Sequence, residues 1–167
     1  LFNSEATLLS INVSAYDSIK HRALSLVGDA KLTLNTLMKY CTAIKTSNDW
    51  QQRVSVLRKE WLIAVDEASR DKGTLLPSDG EVVGAVNRSS RERDVVVCAA
   101  GGLPGDLQKL WKTSFDRGYH VEYGYSCMGY EIAGGLGVKM ALPDSEVYVM
   151  VGDGSYLMMN SEIFSSV

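Results

Sequence analysis

The apolar positions follow three successive patterns. Residues 8–17, LLSINVSAYD, open with an apolar, β-branched run that suits a strand. Residues 23–41, ALSLVGDAKLTLNTLMKYC, give a short apolar piece, a Gly-Asp turn and an amphipathic helix with Leu34, Leu37, Met38 and Cys41 on one side. Asp29 is the expected N-cap of that helix. In residues 48–73 Val54, Leu57, Trp61, Ala64, Val65 and Ala68 recur at three- and four-residue steps. This predicts one long helix with a core-facing stripe, capped by Asn48 or Asp49 and stopped by Gly73. RDKGTLLPSDG is turn-rich and reads as a linker.

Beyond residue 78 the pattern alternates. EVVGAVNRSS is a predicted helix after a Ser78 or Asp79 cap, and RDVVVCAAGG is an unbroken apolar strand of the kind covered on both faces. DLQKLWKTSF is the next predicted helix, YHVEYG a short extended piece, and GYEIAGGLGVKMAL a further helix. SEVYVMVGDG reads as a second buried strand, and YLMMNSEIFSSV starts another helix. Strands alternating with helices predict an α/β fold with a parallel sheet. The pattern thus separates residues 1–45, a connecting helix and linker over 46–77, and an alternating region over 78–167.

Charge and composition narrow the function classes. Lys and Arg number 17 against 20 Asp and Glu, a formal charge of −3, and no basic run occurs. Neither a nucleic-acid surface nor a polybasic membrane patch is expected, and no apolar run reaches membrane-spanning length. Cys41, Cys98 and Cys127 form no Cys-x-x-Cys pair, which points to reduced thiols and a cytoplasmic setting. His21 and His120 are too few and too far apart for a zinc site. The chain does not begin with Met, so a piece of a longer polypeptide is expected.

Candidate chemistry lies in two glycine-rich turns that follow predicted strands, CAAGGLPGDL (98–107) and VGDGSY (151–156). In parallel sheets ligands sit beyond the carboxyl ends of the strands, and glycines let backbone N–H groups approach phosphate oxygens. Neither turn has the Gly-Lys-Ser/Thr of a P-loop or the full Gly-x-Gly-x-x-Gly of a nicotinamide site. Asp153 amid such amides would repel an anion unless a cation lies between them, so it suits a hard divalent ion, with Gly154 and Ser155 against phosphate. The tripeptide by itself favours a plain β-turn, and the strand before it and helix after it shift the balance modestly toward a ligand.

A third segment extends the pattern. Ser126-Cys127-Met128-Gly129, then IAGGLGVKMA, Pro143, VYVMV and Gly152-Asp153-Gly154-Ser155 follow in order over some forty residues. Together they resemble the pyrophosphate-binding domain of thiamine-diphosphate enzymes. The resemblance implies that Asp153 coordinates Mg²⁺ and that Gly152, Gly154 and Ser155 meet the diphosphate. It also implies that Met128 supports the bent cofactor while backbone near Ser126 and Met128 binds the aminopyrimidine. Gly101, Gly102 and Leu103 stand where relatives meet the diphosphate from the other side, although a plain strand-to-helix turn explains the two glycines equally. Ser126 departs from the glycine usual in the family. Cys127 has no activating His or Lys nearby and is expected to be a packed thiol, and His120 and Glu122 to decorate a strand end.

The upstream residues INVSAYDSIKHRALSLVGDAKLTLNTL resemble the end of the central domain in the acetolactate-synthase branch. AAGGLPGDLQKLWK and YHVEYGYSCMGYEIAGGLGVKMA are most similar to a branch member that hydrolyses a carbon–carbon bond of a cyclic polyol dione. The resemblance implies that residues 1–45 are the end of one domain and 78–167 the first part of another, in a homo-oligomer with active sites between subunits. It places the activating glutamate in an N-terminal domain and a second Mg²⁺ ligand after Val167, so no catalytic side chain is expected in these residues and the piece alone should be inactive. A carboligase or 2-keto-acid decarboxylase of the same branch, and a non-catalytic α/β module, are the alternatives.

Overall fold

The computed structural model describes residues 2–167, which divide into two compact units, Leu1–Val54 and Ser55–Val167. In the first, β1 (Leu9–Asn12) runs parallel to β2 (Leu24–Val27), with Leu9 opposite Leu24 and Asn12 opposite Val27. Between them lies the short helix α1 (Ala15–Ser18), whose N-cap Ser14 accepts the Asp17 N–H. Helix α2 (Ala30–Tyr40) starts at Asp29, whose side chain accepts the Leu32 N–H as expected. Of its apolar side, Leu37 and Cys41 are half-buried, whereas Leu34 and Met38 are exposed.

The long helix α3 (Asn48–Ser69) is present, but its stripe is not a core stripe. Val65 is buried, while Val54, Leu57 and Trp61 are exposed, Trp61 by 50%. Spacing located the apolar face correctly, yet nothing among the described residues covers most of it. The cap is Ser47 rather than Asn48 or Asp49, since its hydroxyl accepts the Trp50 N–H at 3.2 Å. The helix ends at Ser69, before the expected Gly73.

In the second unit, α4 (Asp79–Ser89) begins with a capping box. The Ser78 hydroxyl meets the Glu81 backbone N–H, and the Glu81 carboxylate accepts the Ser78 N–H at 2.9 Å. The same carboxylate accepts the Lys72 N–H at 2.9 Å and so ties down the linker. A three-stranded parallel sheet follows, in the order β4–β3–β5, from β3 (Val95–Cys98), β4 (Tyr119–Val121) and β5 (Val147–Val149). All four residues of β3 are buried, as an unbroken apolar run in a central strand should be. Strand β5 is instead an edge of this sheet, with Val149 partly exposed, so the expectation of a second fully buried strand does not hold.

Helix α5 (Gly102–Leu110) starts four residues earlier than the polar pattern suggested, directly from the glycine turn. Helix α6 (Tyr130–Ala141) lies against β5, where a Cβ on Gly135 would stand 2.3 Å from Val149 Cγ2. The last predicted helix is broken into α7 (Asp153–Met159) and α8 (Glu162–Ser165). Val83, Val96, Cys98, Leu107 and Met150 form the core, with Leu103, Leu110 and Trp111 packed around it.

Candidate cofactor site

Strands β3 and β5 run the same way and are adjacent, so their carboxyl ends deliver both glycine turns to one end of the sheet. From β3 the chain leaves through Ala99–Ala100 into Gly101, whose φ of +127° is closed to most side chains and starts α5. Gly101 and Gly102 are exposed, and a Cβ on Gly102 would meet nothing within 4 Å. Leu103 faces the other way and packs against the core, so only its backbone is available to a ligand. From β5 the chain passes through Met150, which is buried, and Gly152 into α7.

At that turn Asp153 is exposed and its Oδ1 accepts the Gly154 N–H at 2.8 Å. Among the described residues no group of three His, Cys, Asp or Glu side chains could hold a metal. Asp153 is therefore a single carboxylate ligand at most, and any ion there needs further oxygens from a ligand or from other chain. Ser155 is buried, and its Oγ accepts the Gly129 N–H at 3.2 Å. Because the oxygen is engaged as an acceptor, the hydroxyl proton remains free to be donated.

The third turn, residues 122–129, joins β4 to α6 and reaches the same end of the sheet. Met128 is 46% exposed and is not a core residue. Its Cε lies 3.6 Å from the point where a Cβ on Gly154 would sit, an ordinary van der Waals distance, so the methionine tip lies beside Gly154. Gly129 has φ +92°, and Ser126, the departure from the family glycine, has φ +58°. Ser126 thus occupies a left-handed conformation in which glycine is the less strained choice, which gives a physical reason for the family preference.

Cys127 is exposed rather than packed, correcting the expectation from sequence. Its backbone N–H donates to Glu122 Oε2 at 2.7 Å, and the Tyr125 N–H donates to Oε1 at 3.2 Å. These amides, Cys127 first, hold the Glu122 carboxyl below its usual range. His120 Nε2 is hydrogen-bonded to the Tyr130 hydroxyl and its ring stacks on that tyrosine. Sequence reasoning missed Glu131. It is 0% exposed in the first turn of α6, and its Oε2 accepts the Gly129 N–H at 2.9 Å. A carboxylate just ahead of the small-residue run Ala133-Gly134-Gly135 was the available signal. Nearby, burial raises the Cys98 thiol pKa, as does the Glu131 charge more weakly.

A separate cavity of about 340 Å³, lined by Asp66, Arg88, Glu92 and Lys112 among others, lies before the amino end of β3. Three of these four charges are engaged: Lys112 Nζ is 2.6 Å from Asp66 Oδ1, and Arg88 Nη1 donates to the Ser69 carbonyl at 2.9 Å.

A parallel sheet with glycine turns at its carboxyl end, an exposed aspartate in one of them and a half-exposed methionine beside it is an arrangement suited to a diphosphate-bearing ligand. Residues 99–167 match the thiamine pyrophosphate enzyme family, C-terminal TPP binding domain. Over 96% of its length the chain is 37% identical to the 3D-(3,5/4)-trihydroxycyclohexane-1,2-dione hydrolase of Shouchella clausii, of which the match covers 29%. It is 40% identical to the protein of that name in Bacillus velezensis and 36% identical to that in Bacillus subtilis, over 98% of the chain and 29% of each relative. The chain thus spans under a third of the length of these relatives.

Proposed function

We propose that this chain supplies the diphosphate-binding part of a thiamine-diphosphate- and Mg²⁺-dependent hydrolase. Its substrate would be 3D-(3,5/4)-trihydroxycyclohexane-1,2-dione, opened at a carbon–carbon bond to 5-deoxy-glucuronate in myo-inositol breakdown. The observation that carries this reading is the meeting of three turns at one end of the sheet, with Met128 against Gly154 and Gly129 bonded to Ser155. The likeness to relatives named for that activity supports the choice of substrate.

The residues present fit the group. Gly152 and the turn at Gly101 and Gly102 leave backbone open to a diphosphate, the Ser155 hydroxyl proton would be donated to it, and Asp153 would bind Mg²⁺ on it, releasing the Gly154 N–H it now accepts to the phosphate. Backbone around Ser126 and Met128 would bind the aminopyrimidine, with the Met128 side chain beneath. When bound, thiamine diphosphate supplies a carbon nucleophile and an electron sink for bond cleavage. The chain's own residues orient the cofactor and keep its reactive face dry rather than acting on substrate. The activating glutamate and remaining Mg²⁺ ligand would come from outside these residues, in a cytoplasmic homo-oligomer whose sites lie between subunits.

The test uses full-length protein with Asp153→Ala. Wild type should bind thiamine diphosphate only with Mg²⁺ and hydrolyse the cyclic dione, while the variant loses Mg²⁺-dependent binding. Unchanged binding in the variant would point to a plain turn in a non-catalytic module. Turnover of pyruvate with none of the dione would point to a carboligase or decarboxylase. Residues 1–167 alone are expected to show no turnover, and tight cofactor binding by them in isothermal titration would contradict the placement of the site.

A further inference from the structure

The turn carrying Met128 is gripped at both ends by carboxylates that have no task in the reading above. At its entrance Glu122 uses both oxygens, accepting the Tyr125 N–H at 3.2 Å and the Cys127 N–H at 2.7 Å. At its exit Glu131 uses one, accepting the Gly129 N–H at 2.9 Å through Oε2. The other oxygen, Oε1, is buried with no partner among the described residues. A buried carboxylate with an unpartnered oxygen opposes folding, and an apolar side chain of similar length would fill the space with less penalty. Between the two carboxylates the backbone is left-handed twice, with φ +58° at Ser126 and +92° at Gly129. Glycine takes its conformation without strain, whereas the one at Ser126 persists only where surrounding contacts enforce it.

We propose that Glu122 and Glu131 are paired positioning residues that preset the 126–129 turn, so that Met128 lies against Gly154 before any cofactor arrives. Neither carboxylate touches the cofactor; both act through backbone amides. A turn ordered in advance spares the ordering entropy at binding. The inference rests on the thiamine-diphosphate reading of this site.

The two carboxylates differ in how they tolerate amidation. Glu131→Gln keeps an acceptor for Gly129 and puts its NH₂ in the unused position. Glu122→Gln sets an NH₂ against a backbone N–H, since both oxygens are in use. Full-length protein is titrated with thiamine diphosphate and Mg²⁺, with tryptophan fluorescence as readout. Glu131→Gln should bind within about threefold of wild type, whereas Glu131→Met and Glu122→Gln weaken binding about tenfold, the scale of one lost charge-assisted hydrogen bond. The Tm of cofactor-free Glu131→Met should hold or rise, because Gly129 retains Ser155 Oγ as acceptor. Lower affinity without lower stability is a pattern that a merely structural residue does not give. Unchanged affinity in both Glu131→Met and Glu122→Gln overturns the inference and leaves the cofactor reading standing; failure of wild type to bind overturns both. Should Glu131→Met not fold, hydrogen exchange in cofactor-free wild type decides. Slow exchange across residues 126–131 is expected, and exchange at the free-peptide rate would overturn the proposal.

Discussion

Gly129→Ala should loosen the junction of the three turns more than any other single methyl group there. Two costs add. The backbone at 129 has φ +92°, and holding an L-residue in the left-handed region costs about 1–2 kcal/mol. The added Cβ would lie 2.5 Å from Met159 Cγ, 3.2 Å from Met159 Cβ and 3.4 Å from Met158 Cβ. The methionine can swing its outer atoms away, but its Cβ belongs to α7, so the helix itself must shift. Overpacking of this kind costs about 1–3 kcal/mol, which gives a total of about 2–4 kcal/mol after partial relaxation. Amide hydrogen exchange by mass spectrometry reads the effect locally, which matters where a chain divides into two compact units and one global unfolding energy is ill-defined. Peptides covering the first turn of α6 and α7 should exchange about thirty- to several-hundred-fold faster, at a factor of ten per 1.4 kcal/mol. Ser126→Gly, three residues away, is the control. Relief of its left-handed strain is offset by the ~0.5–1 kcal/mol that glycine adds in unfolded-chain entropy, so exchange should change little. Exchange in Gly129→Ala within threefold of wild type would refute the argument that backbone hand and Met159 contact jointly demand glycine.

Other sites give simpler expectations. Glu81 is held at a pKa of about 2, first by the Ser78 backbone N–H, then by the Ser78 hydroxyl and the Lys72 N–H. Because the folded value lies below the ordinary 4.5, its contribution is complete above pH 4.5 and disappears as pH falls toward 2. Glu81→Gln should flatten that limb of urea midpoint against pH, and an unaltered limb would show that the capping box is not responsible. Leu107→Ala removes a fully buried core side chain and should lower stability by about 2–5 kcal/mol. Leu75→Ala, at a side chain 97% exposed, should stay within about 0.5 kcal/mol. Equal urea midpoints for these two variants would contradict the placement of the core. Gly135→Ala should push α6 from β5 and speed exchange in β5, given its 2.3 Å approach to Val149 Cγ2.

What was legible in the sequence was whatever is set by local rules. The capping serine at 78, the aspartate at 29 and the unbroken apolar strand 95–98 each follow from a few adjacent residues. The glycine turns at the end of the sheet were legible as turns because the order and spacing of the glycines, Met128 and Asp153 are also local in sequence. Glu131 escaped notice because its meaning depends on an amide two residues back and a serine from another helix. Ser126 could be marked as a departure from the family, but only its φ explains why glycine is usual there.

The long-helix stripe marks the boundary of such reasoning. Periodicity at Val54, Leu57 and Trp61 reports that one face of α3 is apolar; it carries no information on what covers that face. The same holds at the sheet edge. Val147 and Val149 look like a buried strand in sequence, yet β5 has a strand on one side only. Burial is a property of the whole protein, and this chain spans 29% of the relatives it matches. The turns differ because their geometry is fixed from within. Glu122, Glu131 and Ser155 satisfy the amides of residues 125, 127 and 129 with groups no more than 26 positions away. A binding turn that carries its own hydrogen-bond partners can be shaped before the rest of an active site closes over it, whereas an apolar face has no defined environment until its partner arrives.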